Sequence, residues 1–233
     1  MRAKYRLFSE NALLKYRLKL MVTSLISMMF GLSTSPLHAS DSSKSASAPI
    51  TFDVCHGFSC QFESTVNLTI NEWRAVRNQF FPLAVAPAEE RQQIKRAVGL
   101  MEIMSGKHTP TYRDVKRNSG SLTDNLASLE GQLDCVDEAI NTTTYLTLFQ
   151  QNDLLRHHTV ADRAYRRALL DQHWAGQLIE NSTGNPFVVD SWFGNNGDAP
   201  YIVAGKDWFN LSIFGRRNKK QKTHYTVKLV SQK

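Results

Sequence analysis

Six basic residues within the first nineteen, a mostly apolar stretch from Leu20 to Leu32 and then Ser-Pro-Leu-His-Ala at 35–39 together withdraw the N-terminus from the fold. That order of charged, apolar and small-residue regions is the pattern of a secretory signal peptide, with cleavage expected after Ala39. The apolar stretch is shorter than the roughly 20 residues a membrane-spanning helix needs, although an uncleaved anchor is the alternative reading. No cysteine stands at the cleavage position, so a lipid anchor is not indicated. Residues 40–233 are therefore expected to be periplasmic or secreted, where cysteines meet oxidising conditions.

The leader also carries much of the charge. The chain has 28 Lys and Arg against 21 Asp and Glu in 233 residues, a formal +7 that invites a polyanion partner. Setting residues 1–39 aside leaves 22 bases against 20 acids. Within that remainder residues 40–205 hold 14 bases and 19 acids, and residues 206–233 hold eight bases and one acid. An acidic body with one basic segment carries no recognised nucleic-acid motif, and nucleic acid is excluded as a partner. With 42% hydrophobic residues the chain can build a globular core.

Residues 40–49, rich in Ser and Ala, read as a flexible linker, and a single domain is expected over 50–233. Phe58 to Thr69 reads as a strand with Phe62, Thr65 and Val66 along it. Thr69 or Asn71 can cap a helix over Glu72 to Phe80 that stops before Pro82. Pro87, Glu89 and Glu90 open a second helix whose apolar face is Ile94, Val98, Met101 and Ile103, ending at Gly106. Residues 107–125 read as a long loop. Trp208 to Phe214 and Thr223 to Val230 read as two strands of a hairpin, with Arg216, Arg217, Lys219, Lys220 and Lys222 at its tip. That tip is a candidate contact for an anionic envelope surface, against the plainer reading of a solvated hairpin.

Three cysteines are present. Cys55 and Cys60 bracket His-Gly-Phe-Ser and are expected to pair in an oxidising compartment. A metal reading of Cys55, His56 and Cys60 lacks a second ligand pair at matching spacing. Pairing them leaves Cys135 as the odd thiol. Asp134 can cap a helix beginning at Cys135, with Asp137 and Glu138 in its first turn and positions 135, 139, 142, 146 and 149 on one inward face. A cysteine at a helix start sits in the partial positive charge of unpaired N–H groups, which favours a thiolate, while the two nearby acids oppose it. A base is then needed. His157 and His158 follow that helix and read as the start of the next strand. His173 opens a strand in which Ala175, Gln177 and Ile179 share its face, the segment 181–185 is a turn, and Pro186 begins a strand ending in Asp190. Antiparallel pairing across the turn places His173 beside Asp190. The plainer reading keeps Cys135 as a small buried hydrophobe.

The order Cys135, His173, Asp190, with Gly131, Asp134, Asp137 and Ala139 around the cysteine, resembles the bacterial transglutaminase-like cysteine proteinases of the papain-like superfamily over about residues 131–193. The resemblance implies an α+β fold in which a nucleophile helix packs on an antiparallel sheet. It implies that Cys135 attacks an amide carbonyl, that His173 is base and then acid, and that Asp190 orients the imidazole. The Cys135 N–H would be an oxyanion donor, and no second donor is legible. Some relatives bind calcium with carboxylates flanking the cysteine, which here would be Asp134 and Asp137; no other cofactor is implied. The function expected is an exported peptidase or amidase acting on protein or peptidoglycan-type substrates. A catalytically silent envelope-binding protein and an amine acyltransferase on the same three residues stand beside it.

Overall fold

The computed structural model describes residues 49–118, 129–168 and 171–210. The leader, residues 40–48 of the linker and the basic segment 215–222 lie outside the described residues. None of the described helices is long and apolar enough to cross a membrane.

The architecture is α+β. A two-stranded antiparallel hairpin, β1 (Ile50–His56) and β2 (Phe62–Leu68), comes first. Phe52 and Val54 on β1, and Val66 and Leu68 on β2, alternate onto one buried face. The strand expected from Phe58 starts only at Phe62, because Gly57 through Cys60 all lie at φ between 53° and 83° and form a left-handed turn instead. Thr65, expected along the buried pattern, is exposed and donates to Asp53 Oδ1.

Thr69 caps α1 (Ile70–Arg77). Its hydroxyl accepts from the Glu72 N–H while the Glu72 carboxylate accepts from the Thr69 N–H, a reciprocal pair that satisfies two orphan donors. A 3-10 turn, Asn78–Phe80, carries the chain to a cis Phe81–Pro82 peptide. Helix α2 (Pro87–His108) starts on its proline as expected. Ile94, Val98 and Met101 face the core, but Ile103 is 43% exposed. Two residues beyond Met101 is more than half a turn round the helix, which takes Ile103 off that face. The helix also runs past Gly106 to His108, and a 3-10 turn at Pro110–Arg113 opens the segment expected to be loop.

Helix α3 (Cys135–Gln151) packs across a four-stranded antiparallel sheet in the order β3 (His158–Ala168), β4 (Asp171–Glu180), β5 (Pro186–Asp190), β6 (Tyr201–Ala204). Gly176 on β4 makes the close approach feasible, since a Cβ there would stand 2.8 Å from Thr142 Cγ2 and 3.4 Å from Leu146 Cδ1. Tyr145, Leu146 and Phe149 of α3 share the main core with Trp73, Phe80 and Met101, and with Val160, Leu178 and Val189 of the sheet. Each such fully buried side chain contributes about 2 kcal/mol by leaving water. A second cluster joins Ala164, Ala175 and Val188 to Trp208 and Phe209. Trp208, expected to start a strand, instead ends the short helix α4 (Gly205–Trp208). The turn at 181–185 lets Gly176 pair with Val189 in the β4–β5 ladder, so β4 and β5 run side by side from the turn toward His173 and Asp190.

Candidate active site

Local chemistry fixes where α3 begins. Asp134 Oδ1 accepts from the N–H groups of Val136 and Asp137 at 2.9 and 3.0 Å, and Asp137 Oδ2 accepts in return from the Asp134 N–H at 3.2 Å. This is a capping box with aspartate in both roles. The cap bonds pass over the N–H of Cys135, the first helical residue. Its thiol is free and half-buried.

His173 is 1% exposed, and its Nε2 is 2.9 Å from Asp190 Oδ2. The same oxygen accepts from Trp208 Nε1 at 2.8 Å, so two ring N–H groups hold one carboxylate oxygen in place. The rings of Trp192, Phe193 and Trp208 lie 5.0, 5.6 and 5.7 Å from the imidazole centroid. With Nε2 bonded to Asp190, Nδ1 is the other ring nitrogen, and Cys135 lies near enough to the imidazole to act on its charge. Burial disfavours charge on His173, but the bonds to Asp190 and Cys135 outweigh it and push its pKa up to about 9. At neutral pH the imidazole therefore holds a proton. Three residues 38 and 17 positions apart in the chain thus converge.

Cys55 and Cys60 form a disulfide, as expected. The loop it closes lies on the start of α3. Phe58 and Cys60 donate their N–H groups to the two oxygens of Asp137 at 2.8 and 2.6 Å, and the N–H and hydroxyl of Ser59 reach Asp134 Oδ2 at 3.0 and 3.3 Å. All four carboxylate oxygens of Asp134 and Asp137 therefore face N–H or O–H donors. Hydrogens aimed at those lone pairs oppose a cation, so the two residues do not fit the calcium role that the resemblance implies. Among the described residues the one group with ligand atoms close enough for a metal is Cys55, Cys60 and Glu63, and its sulfurs are bonded to each other.

Behind the cysteine lies a feature the sequence reading missed. Glu138 on α3, Glu102 on α2 and Asp114 after the 3-10 turn are all buried. Asp114 Oδ1 accepts from the Leu133 N–H at 2.7 Å and hydrogen-bonds Glu138, and Glu102 Oε2 accepts from the Gly197 N–H at 2.8 Å. Burial, added to by neighbouring acids, pushes Glu102 up to about 8, Asp114 to about 7 and Asp137 to about 6, and Glu138 well above the carboxylate range. Among the described residues Asp190 Oδ1 is buried without a hydrogen-bond partner. His157 and His158 lie apart from the site: His158 opens β3 and binds Glu90 Oε1 at 2.8 Å through Nδ1.

No protein-family model, curated protein or solved structure matches this chain in comparisons with known proteins.

Proposed function

We propose that the protein is an exported thiol hydrolase, a peptidase or amidase built on a papain-like, transglutaminase-like core and acting on protein or cell-envelope amides. The observation that carries this is the buried His173–Asp190 pair, with its second ring nitrogen left for a free cysteine at a capped helix start. Cys135 Sγ adds to the amide carbonyl carbon, and the resulting oxyanion is met by the Cys135 N–H. His173 gives its proton to the departing nitrogen as the C–N bond breaks, leaving a thioester and a neutral imidazole. The imidazole then takes a proton from water, whose oxygen attacks the thioester. The C–S bond breaks, the acid is released, and the thiolate–imidazolium pair is restored. Asp190, pinned by Trp208, keeps the ring oriented through both half-reactions.

The test is incubation of the purified protein with a pool of quenched fluorogenic peptides plus a labelled primary amine. Cleavage by the wild type, abolished in Cys135→Ala and reduced by about 10³ in His173→Ala, is the expected result. Incorporation of the labelled amine in place of cleavage would make the enzyme an acyltransferase. Equal turnover in Cys135→Ala would remove the nucleophile. No turnover and no covalent labelling of Cys135 would leave a binding protein on this fold.

A further inference from the structure

The disulfide loop is tied by several backbone groups to the nucleophile helix, its cap and the residues just before it. Cys55 donates its N–H to Asn141 Oδ1 at 2.7 Å and accepts at its carbonyl from Asn141 Nδ2 at 2.8 Å. The Gly57 N–H reaches the Gln132 carbonyl at 2.7 Å, and the Gly131 N–H reaches His56 Nδ1 at 3.2 Å. Successive N–H groups of residues 58–60 then converge on Asp134 and Asp137. Consecutive left-handed residues turn their N–H groups to one side and make a concave anion receptor, and here the anions are the protein's own capping acids.

That receptor is not a conformation its residues would choose. Phe58, Ser59 and Cys60 lie at φ 66°, 53° and 57°. Left-handed geometry costs a residue with a Cβ on the order of 1 kcal/mol, three times over in this loop. Gly57 at φ 83° is spared that cost, but a Cβ there would overlap the Phe62 ring. The covalent bond between Cys55 and Cys60 and the two carboxylates hold residues 58–60, beside the bonds of His56 and Gly57 to residues 131 and 132. Opening the bond lets residues 58–60 relax and swing their N–H groups away. Asp137, fully buried, is then left without its two loop donors, two residues from Cys135. An acid so placed cannot stay where it is, and the helix start that aims Cys135 at His173 moves with it.

We propose that the Cys55–Cys60 disulfide is a redox gate on the Cys135 nucleophile, closed and competent when oxidised, and opened to an incompetent state by an external dithiol reductant. This rests on the thiol-hydrolase reading. Cys60 is the more exposed of the two sulfur-bearing residues, and Cys55 is 3% exposed, so the incoming thiolate attacks Cys60 Sγ and displaces the Cys55 thiolate. The second thiol of the reductant resolves the mixed disulfide. The protein gains two electrons and two protons as two thiols, and the reductant leaves as a disulfide. Cys135 must be a thiol while its neighbours 75 to 80 residues upstream are not, which sets opposite redox demands on one small region.

The experiment labels the full-length protein with iodoacetamide at pH 6 and quantifies the Cys135 peptide by mass spectrometry. It compares untreated protein, protein reduced with a phosphine, the Cys55→Ala/Cys60→Ala variant, and reduced protein reoxidised with glutathione disulfide. Labelling of Cys135 is expected to fall on the order of 100-fold when the bond is open and to recover on reoxidation, since an ordinary thiol is almost wholly protonated at that pH. Equal labelling in open and closed forms overturns the gate. Where near-ultraviolet circular dichroism shows that opening the bond unfolds the domain, the gate is overturned, because lost labelling then reports unfolding rather than a folded open state. Slow labelling of the untreated protein sinks the thiol-hydrolase reading itself, whereas fast labelling in both forms sinks the gate alone.

Discussion

Replacing Glu138 with glutamine should stabilise the protein, most strongly at alkaline pH. Glu138 is buried among Glu102, Asp114, Asp137 and Asp190, and Glu138, Glu102, Asp114 and Asp137 keep protons on folding that free carboxyl groups would lose. Raised acids hold more protons folded than unfolded, so stability falls as pH rises from their ordinary values toward their folded ones. For Glu102 that window runs from 4.5 to about 8, and the difference corresponds to about 5 kcal/mol once pH exceeds 8. His173 acts in the same direction: its folded value near 9 against 6.5 gives a contribution fully present below 6.5 and lost as pH climbs to about 9. On the acid side Glu72, Glu90 and Glu180 are lowered, chiefly because hydrogen bonds from Thr69, His158 and Arg91 outweigh burial, so their support is lost only as pH drops below about 4.5. The stability maximum therefore belongs near pH 5. For a chain of this size 1 kcal/mol moves Tm by about 2–4 °C, so the wild type should lose at least about 10 °C between pH 5 and 9. In Glu138→Gln the amide can still donate to Asp114, one charge leaves the cluster, and that loss should shrink by several degrees. Thermal unfolding followed by circular dichroism at constant ionic strength measures both. A wild-type Tm that is flat or rises from pH 5 to 9, or a variant less stable than wild type at pH 8, would refute the reasoning.

Trp208→Phe removes the second donor to Asp190 Oδ2 and should cost about 2–3 kcal/mol in urea unfolding, with slower Cys135 labelling; unchanged stability would mean that bond carries little. Gly176→Ala drives a methyl into Thr142 Cγ2 and should destabilise by about 1–3 kcal/mol. Thr142→Ser, which deletes that methyl and keeps the hydroxyl contact to Ser191, should recover part of the loss in the double variant, and strict additivity would contradict the contact.

What could be read in the sequence was what local chemistry decides. Asp134 before a helical pattern marks a cap, and α3 starts where that cap puts it. A strand, a turn at 181–185 and a strand of complementary length imply a register, and the register brings His173 to Asp190. Ile50–His56 does alternate Ile50, Phe52 and Val54 with Thr51 and Asp53, a strand signal that the sequence reading passed over. What could not be read depends on distant partners. Phe58 to Cys60 look like strand residues, and only the disulfide and two acids 74 to 79 positions away hold them in left-handed turns. Glu102, Asp114 and Glu138 each look like a solvated surface acid, because their burial arises from three separate segments packing together. Trp208 sits beyond Asp190 by eighteen residues with no motif linking them, and its aim at the carboxylate emerges only from the fold.

The central claim is that Cys135 and His173 form a thiolate–imidazolium pair. It is tested most directly by the rate of Cys135 alkylation with iodoacetamide as a function of pH, in the wild type and in His173→Ala. The pair predicts rapid modification well below pH 8.5 in the wild type and an ordinary thiol titration in the variant. Wild-type and variant curves that coincide, both rising only near pH 8.5, would contradict it.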